Sequence, residues 1–314
     1  VSSARLETAG YFWAIKHVSR MYGSFFSWTD RTGFQWRQHR AHWMAIGQKI
    51  LWPLYQQEHP DVVIATHPFA LNAWAQIKKK APSLRVVGVL TDLSVHRFWI
   101  EPEADAYTVW LPDQVNDLVK YGIAPEKIWT TGIPIRAFFR DMPPMLPFSS
   151  QAAPIILLGG GLGLGPYAKI LHRLKQLDYP VIAVCGQNER LRWQLTERNW
   201  PVHISIMGYV DNMPALLQKA HIVVGKPGGV TAAEVAQSQI PWVLTHWIPG
   251  QEEQNRDRLI QHHLALRGDK NFLHTVHTLL AVDSPQRKDL IQHQAQCARP
   301  HAAQEIAARI MKWE

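Results

Sequence analysis

Two series of short apolar runs, with a proline-rich break between them, limit this chain to a small set of folds. The first series reads as strands at Val62–Thr66, Arg85–Leu90, Ala106–Trp110 and Ile128–Thr131. The second reads as strands at Ile155–Leu158, Val181–Cys185, Val202–Ile206, Ile222–Val224 and Trp242–Leu244. Helical stretches separate the runs, among them 70–80, 113–121 and 167–177. Strands alternating with helices imply parallel sheets with crossover helices. The break, DMPPMLPFSSQAAP, carries Pro143, Pro144, Pro147 and Pro154, which forbid a helix and suit a linker. The expected fold class is α/β, with two doubly wound domains facing a cleft. Ligands then belong at strand C-termini and in that cleft.

The 314 residues suffice for two domains of ordinary size. Residues 1–58 read as mostly helical, and 284–298 and 301–313 as amphipathic helices. No apolar run reaches the roughly 18 residues of a spanning helix, and no secretory signal is visible. Cys185 and Cys297 lie far apart, which fits a reducing, cytoplasmic compartment. The chain opens at Val1 inside what reads as continuing sequence.

The formal net charge is +8, unevenly spread. The first 50 residues hold seven Lys/Arg against two acids, with Trp13, Trp28, Trp36 and Trp43 among them. Such a surface is drawn to anionic lipid, with tryptophan at headgroup level. An ordinary basic helix pair explains it as well, and nucleic acid is the third partner to weigh. Nucleic acid is set aside because it leaves the motifs of the second half without a purpose.

The most informative of those motifs is HIVVGKPGGVTAAE, His221 to Glu234. It reads as a buried strand, a turn bearing Gly225, Lys226, Pro227, Gly228 and Gly229, and a helix opening near Thr231. A lysine and bare backbone delivered to a helix N-terminus make an anion site. Glu234, a little further on, can hold sugar hydroxyls. Gly159–Gly165 (GGGLGLG) follows another strand, with Pro166 suited to the first helical position. It can admit a phosphate or sugar, or be a plain tight turn. The third motif, Pro249-Gly250-Gln251-Glu252-Glu253-Gln254-Asn255, offers amides and carboxylates for a polyhydroxylated ligand. The helix dipole alone would account for Glu252 and Glu253. No GxxxxGK[ST] or GxSxG pattern occurs, which disfavours a P-loop ATPase and a serine hydrolase of that type.

Asp92, His96 and His67 lie at or near strand ends in the first series, where each can act as a general base. Asp92 is equally suited to capping a helix. Arg136 is placed to clamp a phosphate or to form a surface ion pair. No DxD pattern or metal-ligand spacing appears, and His262 and His263 would point apart on a helix, so no metal is expected.

Taken together, these segments resemble the monogalactosyldiacylglycerol synthase and processive diacylglycerol glucosyltransferase family, relatives of the peptidoglycan GlcNAc transferase that acts on lipid I. The matching stretches include PDVVIATHP (60–68), TDL (91–93) with His96 and Trp99, TGIPIR (131–136), the glycine loop, VCGQN (184–188), GYV (208–210) with Met213, KPGG (226–229) with Thr231 and Glu234, and IPGQE (248–252) with Asn255. The family's N-terminal GxGH-type loop has no counterpart here.

The resemblance implies a GT-B fold. Residues 1–141 would form an acceptor and membrane-facing domain lacking its first strand, and 142–153 the linker. Residues 154–300 would form a UDP-sugar domain, and 301–314 a C-terminal helix. Gly161 and Gly163 would line the donor, with Gly208, Tyr209 and Met213 near the uracil. Lys226, Gly228, Gly229 and Thr231 would surround the diphosphate, helped by Arg136. Glu234 would hold the ribose, and Gln251, Glu252 and Asn255 the sugar side. Asp92, aided by His96, would be the catalytic base. The implied activity is inverting transfer of galactose or glucose from a UDP-sugar to diacylglycerol, without metal or cofactor. It would take place on the cytoplasmic face of an anionic membrane. A different lipid-linked acceptor, or a catalytically dead nucleotide-sugar-binding regulator, stays open as an alternative.

Overall fold

The computed structural model describes residues 47, 49–141, 153–268 and 271–313. The basic, tryptophan-rich stretch before residue 47 and nearly all of the proline-rich break lie outside them, and with them the expectations of a membrane-facing helix pair and a linker. The chain packs as two compact units. One runs to Ile133 and takes in Ile248–Gln254 and Ala302–Glu314; the other holds Pro134–Trp247 and Asn255–His301. The boundary thus falls before Pro134 rather than at 141, and the C-terminal helix belongs to the first unit.

The first unit is a four-stranded parallel sheet in the order β1-β2-β3-β4: β1 (Val62–Ala65), β2 (Arg85–Val89), β3 (Ala106–Val109) and β4 (Ile128–Thr130). Its β-branched runs suit strands buried on both faces. Helix α1 (residues 49–58), α2 (Pro68–Lys78) and α3 (Pro112–Lys120) accompany it. Leu71, Ile77, Val86, Leu90, Tyr107 and Leu118 form one core. On the other face Val87, Val89, Ala106 and Trp129 meet Ile306, Ile310 and Trp313. That packing is why the C-terminal helix, α12 (Ala302–Ile310), joins this unit. Trp129 and Trp313 pack at 5.3 Å between ring centroids.

The second unit begins with α4 (Ala137–Arg140) and is built on a six-stranded parallel sheet, β10-β9-β8-β5-β6-β7. Its strands are β5 (Ile155–Leu158), β6 (Val181–Val184), β7 (Ile204–Met207), β8 (Ile222–Gly225), β9 (Trp242–Leu244) and β10 (Leu266–Arg267). Helices α5 (Tyr167–Leu174), α6 (Glu189–Thr196), α7 (Met213–Leu217), α8 (Gly229–Ser238), α9 (Gln251–Gln261, in this unit from Asn255 on), α10 (Phe272–Leu280) and α11 (Pro285–Cys297) connect or cover the strands. The expected strand at 202–206 starts later, because Ile204 N–H closes a turn onto the Pro201 carbonyl and leaves Val202 fully exposed. Helix α8 opens at Gly229, two residues before the expected Thr231.

Buried polar groups fix the outer helices of this unit. Arg287 donates from Nη1 to the His221 and Leu279 carbonyls at 3.1 and 3.0 Å. Gln294 Nε2 donates to the Ile240 and Leu264 carbonyls, both at 2.9 Å. Among the described residues, no helix is long and apolar enough to cross a membrane.

Candidate active site

The strand order of the second unit places its glycine motifs. From β5 the chain steps outward to β6 and β7, then returns to β8 on the opposite side of β5. Strands β5 and β8 are therefore neighbours at a topological switch point, where open α/β sheets take their ligands. The register pairs Leu158 with Gly225, so the glycine loop after β5 and the KPGG turn after β8 leave the same sheet edge side by side.

A side chain at Gly160 would begin 3.2 Å from Lys226 Cε, and one at Gly228 would begin 3.6 Å from Lys226 Nζ and 3.5 Å from Thr231 Oγ1. Lys226 thus lies along both glycines, at the mouth of α8. The α8 cap residue is Gly228, which has no side-chain acceptor for the first-turn amides, so a bound anion can take that role. Gly161 faces open space. Gly163, at φ +55, presses on the Cys185 carbonyl, which leaves no room for a β-carbon; it shapes the loop rather than facing a ligand.

His246, which no sequence motif marks, braces this loop. Its Nε2 lies 3.0 Å from the Leu164 carbonyl and its Nδ1 2.9 Å from Thr245 Oγ1. A carbonyl only accepts, so Nε2 donates to it. The one sequence signal for this residue is its place just past β9, at the same edge. Buried Asn255 donates from Nδ2 to the Pro227 carbonyl at 3.2 Å, fixing the KPGG turn from α9.

Arg136 donates from Nη2 to the Tyr209 hydroxyl at 3.0 Å and from Nη1 to the Asp211 carbonyl at 3.2 Å. It therefore holds the Gly208–Met213 loop, in which Asn212 caps α7 through its Oδ1. Burial pushes the Glu234 carboxyl up to about 7, with the positive charge of Arg136 pulling the other way. The guanidinium, the exposed Tyr209 and Glu234 thus belong to one neighbourhood.

The other residues with chemistry gather in the first unit, beyond the ends of β2 and β3. Gln251 Nε2 donates a hydrogen bond to the Asp92 carboxylate. Gln114, fully buried, donates from Nε2 to the Asp92 carbonyl at 2.8 Å. Its Oε1 accepts the Trp110 and Leu111 amides at 3.0 and 2.9 Å. His96 is buried, and its Nδ1 accepts the Phe98 amide at 3.1 Å, capping a single 3-10 turn. His67 caps α2 in the same way, accepting the Phe69 amide. The Asp92 carboxylate is thus held by another candidate site residue. Glu252 accepts the Ile248 amide at 2.9 Å and Glu253 the Gly250 amide at 3.0 Å. These carboxylates fold their own loop, as the acidic-first-turn reading allowed.

Both units of the chain are similar to known proteins. The monogalactosyldiacylglycerol (MGDG) synthase family model matches residues 3–135, and that of the glycosyltransferase family 28 C-terminal domain matches residues 166–276. A processive diacylglycerol beta-glucosyltransferase from Bacillus thuringiensis is 35% identical over 227 residues, 68% of this chain and 58% of that protein. The counterpart from Bacillus cereus (strain AH187) is 35% identical over 228 residues, with the same coverage. The chain therefore spans less than two thirds of these relatives. Among solved structures, Acinetobacter baumannii MurG superposes with a TM-score of 0.61 at 16% identity, over 86% of this chain and 77% of that one. The UDP co-structure of S. aureus MnaA gives 0.65 at 12% identity, over 86% and 80%. The two parallel-sheet Rossmann-like units are those of the GT-B fold.

Proposed function

Because the chain belongs to the monogalactosyldiacylglycerol synthase and processive diacylglycerol glucosyltransferase family, we propose that this protein transfers a hexose from a UDP-sugar to diacylglycerol. The observation that carries the reading is the shared edge of β5 and β8, where Lys226, bare glycine backbone and the α8 N-terminus converge.

In this reading the diphosphate lies on the α8 amides beside Lys226. Both stabilise charge as UDP departs, and the chemistry calls for no divalent ion. Glu234 accepts from the ribose hydroxyls, and the Gly208–Met213 loop, steadied by Arg136, borders the uracil. Arg136 so acts by shaping the pocket rather than by clamping phosphate. Asp92 takes the proton of the acceptor hydroxyl, which attacks the anomeric carbon opposite UDP with inversion. Its hydrogen bond from Gln251 orients the carboxylate. Attachment to the inner face of an anionic membrane, through the basic tryptophan-rich region, is part of the proposal.

The test is incubation with radiolabelled UDP-glucose and UDP-galactose and diacylglycerol vesicles, using the longest form of the protein. Label in the lipid phase from either donor supports the reading. No lipid label from either donor, with UDP still bound, leaves the nucleotide site standing and overturns the transferase.

A further inference from the structure

The C-terminal end of α9 departs from what its sequence should favour. Leu264 N–H bonds to the Leu259 carbonyl at 2.8 Å and His263 N–H to the Ile260 carbonyl at 3.1 Å, the paired bonds of a Schellman ending. The residue that turns left-handed in such an ending is usually glycine; here it is His263, at φ 55. A non-glycine residue held at positive φ carries a local cost, and such positions cluster where the side chain has a task.

The turn brings the His263 ring to α11. Its Nδ1 lies 2.7 Å from Asp289 Oδ2, and His293 Nδ1 lies 3.3 Å from Asp289 Oδ1. The two imidazoles face each other at 4.7 Å and 31°. Asp289 and His293 are one helical turn apart and therefore share a face of α11. One ligand atom from each of the three residues lies within 4.8 Å of the other two. Ligand atoms around a tetrahedral zinc stand about 3.3 Å apart, so closing on an ion asks the trio to draw in, with His293 Nδ1 leaving the Asp289 carbonyl, 2.9 Å away, or its other ring nitrogen turning to the ion.

We propose that His263, Asp289 and His293 form a divalent transition-metal site that ties the end of α9 to α11. Two imidazoles and one carboxylate suit zinc, and also cobalt or nickel, with water completing the shell. The site is remote from the proposed chemistry. His263 precedes β10 and so lies toward the strand N-termini, whereas Lys226 follows β8 at the C-terminal edge. The ion is structural, and sugar transfer does not depend on the proposal.

The test uses the full chain stripped with chelator and titrated with cobalt, followed by its visible d–d absorption, and with zinc against a chromophoric competitor. The chain carries 16 histidines, so assignment rests on variants. His293→Ala keeps a good helix former, His263→Asn keeps a residue that tolerates positive φ, and Asp289→Asn keeps size. The expected result is one equivalent bound by the native protein and affinity at least about tenfold weaker in each variant. Zinc should also raise the melting temperature of the native protein alone. No stoichiometric uptake, or undiminished uptake in any of the three variants, overturns the proposal.

Discussion

Around Lys226 the protein presents backbone; around Asp92 it presents side chains bonded to one another. The first neighbourhood is made of glycine-bearing turns and a helix mouth, with one lysine across them. The second is a chain of committed groups: Gln114 joins the ends of β2 and β3 to the Asp92 carbonyl, and Gln251 takes the Asp92 carboxylate. The contrast follows from the tasks proposed. A dianionic carrier is best met by preorganised amide dipoles that cost no side-chain ordering. A base must have its lone pair aimed, and aiming requires partners.

The largest effect is expected from Asp92→Asn, which keeps the Gln251 contact and removes the base. Transfer should fall by about 10²–10⁴ while UDP affinity, measured by calorimetry, stays within about twofold. Loss of nucleotide binding would show that the two neighbourhoods are not separate in function. Next is Lys226→Ala, expected to lower turnover by about 10²–10³ and to weaken UDP binding, with the circular dichroism spectrum unchanged. A variant as active as the parent would move the diphosphate away from α8.

Glu234 supplies a pH test of the donor side. Its carboxyl titrates at about 7, so it is ionised above that pH and protonated below. UDP affinity should drop as pH is lowered from about 8 to 6, by up to about tenfold per unit, and Glu234→Gln should flatten the profile. The linked stability effect has the opposite sign. A raised carboxyl pKa means the unliganded fold loses stability as pH rises from the ordinary carboxylate range to about 7, and that loss should vanish in the same variant.

The smallest effect belongs to the scaffold of the first unit. Asp105 accepts from Lys78 at 2.5 Å, Arg85 at 3.2 Å and the Val86 amide at 2.7 Å. Burial works to raise its pKa, but these donors outweigh it, and the carboxyl is held below its ordinary value. Its contribution is therefore present above the unfolded carboxylate pKa and fades as pH falls through the lowered native one. Asp105→Asn should destabilise by about 1–3 kcal/mol at neutral pH, and by less in acid, in denaturant titrations.

The strands were legible because valine and isoleucine runs bounded by glycine, proline and polar residues leave few alternatives, as with Ile155–Leu158 and Ile222–Gly225. The two-residue β10 offered no pattern, and Val202 looked like strand because it alternates with Ile204 and Ile206. The anion-binding edge was legible because its chemistry is local: glycine, lysine and helix start occur within a few residues of one another. The Asp92 neighbourhood was not, since Gln251 lies 159 residues from its partner. His96 read as a candidate base and Arg136 as a phosphate clamp or a surface ion pair, and only the fold shows a cap in one and a loop tether in the other. His246 and His263 were hidden for the same reason: register and a helix ending, not spacing, bring them to their partners.

Packing α12 onto the first sheet also sets an order of events during synthesis. Ile306, Ile310 and Trp313 cover Val87, Val89 and Trp129, residues made about 180 or more positions earlier. On the ribosome the first sheet lacks α12 until the second unit has been threaded out. The later-made unit can therefore mature before α12 reaches the earlier one. Removal of α12 would take Ile306, Ile310 and Trp313 off Val87, Val89 and Trp129 in the finished molecule.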